Sequence, residues 1–176
     1  MLNFFVLQKY LFITLDSFLV IFHFRISSLI RVIKKGLWFE LLLIGINQYF
    51  QLFVVPPVYG VALFYIASTY FLTNFALSHT HLPATVEPVH WVEYSLTHTC
   101  NVKSGLFNWV DWWMGYLNYQ IEHHLFPAMP QFRNKLIRHK VKALAAKHGL
   151  PYIVLSYTDA VKTTFKNLDL VSKELK

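Results

Sequence analysis

From Phe4 to about Phe24 the chain is apolar except at Lys9, Asp16 and His23, which recur every seven residues and so form one polar stripe along a helix. Such a stripe predicts a helix that lies at a membrane interface, or one that spans with its ionisable residues turned toward other helices. Arg25, Arg31, Lys34 and Lys35 follow, and this basic cluster places the end of the segment in the cytosol. Two further apolar runs, Leu37 to Val55 and Val58 to Leu77, each come close to the ~20 residues that cross ~30 Å of hydrocarbon. Pro56-Pro57 between them ends helices, and the uncharged turn around it holds no Lys or Arg that would keep it in the cytosol. Residues 37–77 therefore read as a transmembrane hairpin with its turn on the far side. Glu40, Asn47 and Gln51 fall roughly on one face of its first arm, the pattern of helix-to-helix contact.

Beyond the hairpin the pattern changes. Residues 78–130 hold six of the nine histidines and a segment, Phe107 to Tyr116, with three Trp in five positions, which fits an aromatic belt at the bilayer surface. From Phe132 to His148, Arg133, Lys135, Arg138, Lys140, Lys142 and Lys147 alternate with Leu136, Ile137, Val141 and Leu144, a basic amphipathic helix stopped by Gly149 and Pro151. It is expected on the cytosolic face against anionic lipid head groups. A short Tyr152-Ile153-Val154-Leu155 run and a further amphipathic helix from about Thr158 complete a cytosolic cap, residues 131–176, in which no chemistry is evident.

Composition agrees with the pattern. The 176 residues are 55% hydrophobic, 18% aromatic and only 14% charged, with a formal charge of +7. Soluble domains carry about a quarter charged residues. The fold class is thus an all-α membrane protein: a transmembrane hairpin, an apolar helix over residues 1–36 taken as interfacial, and a helical cap. The basic excess points to lipid, and no nucleic-acid partner is expected. Cys100 is the single cysteine, so no internal disulfide can form, and it reads as a buried or interfacial side chain. Met1-Leu2-Asn3-Phe4 lacks the basic region and cleavage site of a signal peptide.

The densest chemistry lies at Gln120-Ile121-Glu122-His123-His124-Leu125-Phe126-Pro127. On a helix Gln120, His123 and His124 share a face, and neighbouring imidazoles beside a third polar donor suit iron or zinc. Spacing alone leaves open a pair of His that only caps a helix end. Phe126-Pro127 stops the helix. His79 and His81 alternate and would point apart on a helix, so one of the two is expected to be a ligand. His90 and His98 have no partner at a helical or strand spacing and read as solvent-exposed or core histidines.

At Asn118-Tyr119-Gln120-Ile121-Glu122-His123-His124-Leu125-Phe126-Pro127, preceded by Thr99-Cys100-Asn101-Val102 and followed by Met129-Pro130, the chain resembles the front-end fatty acid desaturases. These are the Δ5, Δ6 and Δ8 group of the membrane desaturase superfamily, and the similarity runs over most of the chain. Gln120 stands where other desaturases carry the first His of the third histidine box, the replacement that marks the subgroup. The resemblance implies a di-iron centre with His123 and His124 as ligands, Gln120 beside them, and His81 at an additional histidine position. It also implies oxygen-dependent insertion of a double bond into polyunsaturated acyl-CoA in the endoplasmic reticulum membrane, with a cytosolic C-terminus and electrons from a cytochrome-b5-type donor. Glu122 and Asp111 are the candidate carboxylates for orienting the imidazoles. Similarity would also allow a different partition, with residues 4–24 spanning and Leu37–Val55 interfacial.

The departures from the family pattern are specific. No HxxxH and no HxxHH occurs at any histidine, so two of three boxes are missing. The expectation is the C-terminal part of such an enzyme, inactive alone. The alternative is a truncated, non-catalytic membrane protein that binds lipid or a full-length partner.

Overall fold

A computed structural model describes residues 10–82 and 89–174, which are mostly helical. Lys9 of the predicted polar stripe lies outside the described residues. The chain forms two compact units, one over Tyr10–Thr73 and one from Asn74 onward.

In the first unit a π-helical segment, Phe12–Asp16, runs into α1, Ser17–Lys34. Gly36, at φ 64°, turns the chain into α2, Trp38–Tyr49, which continues as a π-helical segment, Phe50–Val54. Pro57 opens α3, Pro57–Ala76, where a missing N–H breaks no helical bond. The two helices thus break at Pro56-Pro57. Among the described residues, two stretches are long and apolar enough to cross a membrane, Phe12–Lys34 and Pro57–Ala76. The first contains most of the segment expected to be interfacial and runs ten residues past it, through the basic cluster. Its polar residues find partners along the helices instead of breaking them: Ser27 meets the His23 ring at 3.4 Å, and the Arg25 guanidinium lies 4.5 Å from the centre of the Phe64 ring. Outward positions such as Phe24, Phe39, Phe53 and Ile66 are exposed and apolar, as a lipid-facing surface requires. Inside this unit Phe18, Phe22, Leu43 and Phe64, with Arg25, Asn47 and Gln51, help line a cavity of about 800 Å³.

The second unit begins with the last turn of α3 and continues through α4, Trp91–Thr97; a 3₁₀ turn, Leu106–Asn108, leading into α5, Trp109–Trp113; α6, Gln120–Leu125; α7, Gln131–Lys147; and α8, Tyr157–Glu174. One correction to an all-α reading is local. Asn101–Val102 (β1) pairs in parallel with Val154–Leu155 (β2), Asn101 opposite Val154 and Val102 opposite Leu155. The Tyr152–Leu155 run is thus a strand partner, which its β-branched residues favour.

Two cores hold this unit. Leu77, Val102, Val110, Met114 and Ala160 form one, and Leu96, Ile121, Leu125, Val141 and Ala145 the other. α7 turns Val141 and Ala145 inward, four residues apart, and Gly149 at φ 64° ends it in the left-handed conformation that glycine adopts freely. α8 buries Ala160, Thr164, Leu168 and Ser172, a row at every fourth position whose small members allow close approach. There the Thr80 hydroxyl donates to Thr164 Oγ1 at 3.3 Å, and the Asn167 amide donates to the Thr80 carbonyl. The tail without evident chemistry therefore grips the turn that carries His79 and His81.

Candidate metal centre

α6 is only six residues long, and both of its faces are used. Ile121 and Leu125 enter the second core, which leaves Gln120, His123 and His124 on the opposite side, as 3.6-residue periodicity demands. Glu122, which points away from the face that carries Gln120, His123 and His124, is fully buried. Its Oε2 accepts from the Asn101 amide at 2.8 Å and its Oε1 from the Tyr152 hydroxyl at 2.6 Å; Asn101 also donates to Tyr152 at 2.9 Å and accepts the Ile121 N–H at 2.9 Å. Burial first, and then the neighbouring carboxylate, push the Tyr152 phenol upward, so it stays a donor. This ring of hydrogen bonds ties α6 to the β1–β2 ladder.

The entry to α6 is fixed in the same way. Buried Asp111 accepts from the Asn118 amide at 2.8 Å, the Tyr119 hydroxyl at 3.1 Å and the Lys135 ammonium at 2.8 Å. Burial would raise the Asp111 carboxyl, but these donors and Ser104 hold it below the usual carboxylate range. Neither carboxylate reaches an imidazole directly. The expectation that Glu122 or Asp111 orients an imidazole is replaced by one level of removal: they position the helix that bears the imidazoles.

The imidazoles gather. Gln120 Nε2 lies 3.0 Å from His79 Nε2, the ring centres of His79 and His124 are 5.0 Å apart, and those of His123 and His124 are 5.9 Å apart. His81 turns its Nε2 toward Cys100 Sγ at 3.6 Å. The Nδ1 atoms of His81 and His123 are buried and lack a hydrogen-bond partner. Burial, reinforced by the neighbouring His124, pulls His79 down to about 4, and burial also lowers His81 and His124. At neutral pH these three rings are therefore in the neutral form that ligates metals. Burial pushes the Cys100 thiol up to about 12, which makes it inert as a nucleophile and matches the expectation from sequence.

Two imidazoles whose nitrogens each sit 2.0–2.1 Å from one metal have ring centres roughly 4.5–6.4 Å apart, so both measured spacings are compatible with shared ligation. Two buried nitrogens without partners add to the fit. The donors thus suit a transition metal in kind. Among the described residues, however, no three His, Cys, Asp or Glu side chains already stand as a ligand set.

Of the residues expected from sequence, Gln120, His123 and His124 share one face, and His81 lies near enough to His79 that protonating one would oppose protonating the other. Periodicity leaves His79 and His81 as alternatives because alternate residues diverge on a helix, yet α3 ends at Ala76 and residues 77–82 form turns, where that rule does not hold, and it is His79 that lies against Gln120 and His124. His90 accepts the Val92 N–H at 3.3 Å as the cap of α4, and His98 stacks on Tyr94 at 4.3 Å.

The fatty acid desaturase family model matches residues 1–156. Over 109 residues the chain is 52% identical to an acyl-lipid (8-3)-desaturase of Rebecca salina, covering 61% of this chain and 25% of that protein. It is 54% identical over 102 residues to an acyl-lipid (8-3)-desaturase of Thraustochytrium sp, covering 56% and 23%, and 31% identical over 175 residues to a fatty acid desaturase 2-like protein of Mus musculus, covering 92% and 35%. The chain thus spans about a quarter of the length of the first two relatives. No solved structure matches it. A family match that runs from the first apolar segment through the imidazole-bearing helix to β2 means that the chain belongs to the fatty acid desaturase family and is similar to its front-end members.

Proposed function

We propose that this chain is the C-terminal part of an oxygen-dependent, di-iron front-end desaturase that introduces a double bond into polyunsaturated acyl chains in the endoplasmic reticulum membrane. The observation that carries the reading is the gathering of Gln120, His79, His123 and His124 against the metal-compatible face of α6. His81, His123 and His124 would hold metal through nitrogen, and Gln120 through its amide oxygen. When bound, the iron pair supplies the oxidising power that removes two hydrogens from adjacent methylenes, with electrons from a cytochrome-b5-type donor. The chain's own residues position that chemistry. Core packing of Ile121 and Leu125 orients the imidazoles outward, Glu122 and Asp111 fix the helix at its flank and entry, and burial keeps the rings neutral.

An acyl chain needs a dry, apolar channel. The cavity of about 800 Å³ within the first unit falls in the size range of small-ligand sites, and its Phe and Leu lining suits methylenes. Two relatives, 52% and 54% identical over 61% and 56% of the chain, are named acyl-lipid desaturases, which favours a lipid-esterified acyl group over acyl-CoA. The basic face of α7, with exposed Arg133, Arg138, Lys140 and Lys142, would rest on anionic head groups at the cytosolic surface.

Three imidazoles and one amide are too few for two irons, so the chain by itself is expected to be inactive. A non-catalytic lipid- or partner-binding protein is the second reading, favoured by the lack of a preset ligand triple among the described residues. The deciding experiment joins this chain to the N-terminal portion of one of the acyl-lipid desaturases and analyses cellular fatty acids in yeast fed polyunsaturated precursors. New double bonds are expected, and H123A or H124A should reduce them to background. An iron-replete fusion that desaturates no acyl substrate would refute the proposal.

A further inference from the structure

We propose that the Trp-rich loop is a preformed membrane wedge, in which Leu106, Phe107 and Trp112 enter the bilayer beside the end of α3 and seat the second unit on lipid. This goes beyond the iron chemistry and rests only on the reading of the chain as a membrane protein.

α5 is short but two-sided. Val110, Asp111 and, just past its end, Met114 are buried, and Val110 and Met114 share a core with Leu77, the residue that follows α3. The loop is therefore anchored at the end of a helix long and apolar enough to cross a membrane. Its other side turns outward: Phe107 is 99% exposed, and Leu106 and Trp112 are each 80% exposed. This tip is built rather than loose. Phe107 and Asn108 lie in the left-handed region, at φ 54° and 56°, which persists in residues other than glycine where the surroundings impose it. The Trp109 indole fills the space that a Cβ on Gly105 would need, and Lys135 Nζ ties the loop to α7, 2.8 Å from Asp111 Oδ2 and 3.1 Å from the Asn108 side-chain oxygen. A strained backbone that holds an aromatic ring in water is doubly unfavourable; burying the ring in lipid removes the second cost.

Three observations favour lipid over a protein partner. The backbone at the tip closes on itself, as hydrocarbon requires: the N–H groups of Asn108, Trp109 and Val110 donate to the carbonyls of Gly105, Leu106 and Ser104. Behind the tip, Trp113 donates its indole N–H to the Tyr157 hydroxyl at 3.1 Å, a ring with one apolar and one polar end of the kind that settles at head-group level. From His98 to Ser156 the chain carries seven Lys and Arg against two acids, Asp111 and Glu122, both buried, so this stretch shows an anionic leaflet no exposed carboxylate.

Nitroxide labels on single cysteines test this in the full chain, reconstituted into vesicles of phosphatidylcholine with a minority of phosphatidylserine. Cys100 is buried and takes up no label, and the substituted positions are exposed, so the core is untouched. Labels at F107C and W112C are expected about 5–10 Å below the phosphates, colliding with oxygen in preference to a water-soluble nickel chelate, whereas K166C on α8 should show the reverse. Adding F107D should raise the label at W112C to the phosphates or above, because a carboxylate resists entry into hydrocarbon. Nickel contact at F107C equal to that at K166C overturns the inference, and so does an unmoved W112C label. Exclusion of both reagents from F107C would show a protein cover, and dipolar broadening that vanishes on dilution with unlabelled chain would identify that cover as a second copy; either result overturns it too. A label at I66C on α3 separates the two levels of failure. Deep I66C with aqueous F107C refutes the wedge alone, while aqueous I66C refutes the membrane reading and the wedge with it.

Discussion

Glu122 sits on the side of α6 turned from the His123 face, as spacing requires, but spacing does not say what meets it there. Its partners, Asn101 and Tyr152, come from 21 residues before and 30 residues after it, so no local pattern could show that it is buried. Removing one donor leaves a buried carboxylate short of a hydrogen bond, and Y152F is expected to destabilise the chain by about 1–3 kcal/mol. Denaturant unfolding in detergent measures this, and an unchanged midpoint would contradict it. His79 gives a second expectation at this scale. Its folded value is depressed, from 6.5 to about 4, so the unfolded chain takes up the proton first. The stabilisation is complete above about pH 6.5 and is lost as the pH falls toward 4; His81 and His124, also lowered by burial, act in the same direction. The unfolding midpoint should therefore drop between pH 7 and pH 5. In H79Q that pH slope should be shallower.

At the scale of elements, what the sequence shows best is what repeats. α7 and α8 lie within a residue or so of their expected positions because apolar residues recur at helical spacing, and α6 stops at Leu125 because Phe126-Pro127 cannot continue it. The β1–β2 ladder stayed hidden because two-residue strands, separated by more than fifty residues, carry no period. The Trp-rich loop was recognised by composition, but not by its backbone, in which Gly105, Phe107 and Asn108 all have positive φ. A Cβ on Gly105 would collide with the Trp109 indole. Strain plus collision predicts that G105A destabilises by more than about 1 kcal/mol and displaces Trp109, visible as a shift in its fluorescence against a W109F reference. α8 makes a different demand. Thr164 is fully buried where α8 meets Thr80, so T164L overpacks the contact and is expected to cost about 1–3 kcal/mol. Because Thr80 lies between His79 and His81, T164L should also perturb both imidazole resonances, whereas an equally destabilising change in α7 should not.

For the whole molecule the open question is topology, and parity constrains it. Lys34 and Lys35 favour the cytosol, and the imidazole cluster, if it serves a cytosolic electron donor, lies there too. An even number of crossings must then separate residue 36 from residue 77. If α3 is one, the continuous helix over 38–54 must be the other, although it is shorter than the two long apolar stretches. Seventeen residues at 1.5 Å each give about 25 Å, somewhat under the ~30 Å core, a deficit that local thinning can absorb. α1 would add a third crossing that places residue 10 in the lumen. Single cysteines can decide each step, and native Cys100 is a silent background because burial makes its thiol unreactive. In sealed microsomes, K35C should react with a membrane-impermeant maleimide from the cytosolic side, while V58C should react only after the membrane is opened. Y10C should behave like V58C if α1 spans and like K35C if it is interfacial. Labelling of V58C in sealed vesicles would mean that the 38–54 helix does not cross, and would leave the end of α3 and the imidazoles that follow it on opposite sides of the membrane from Lys35.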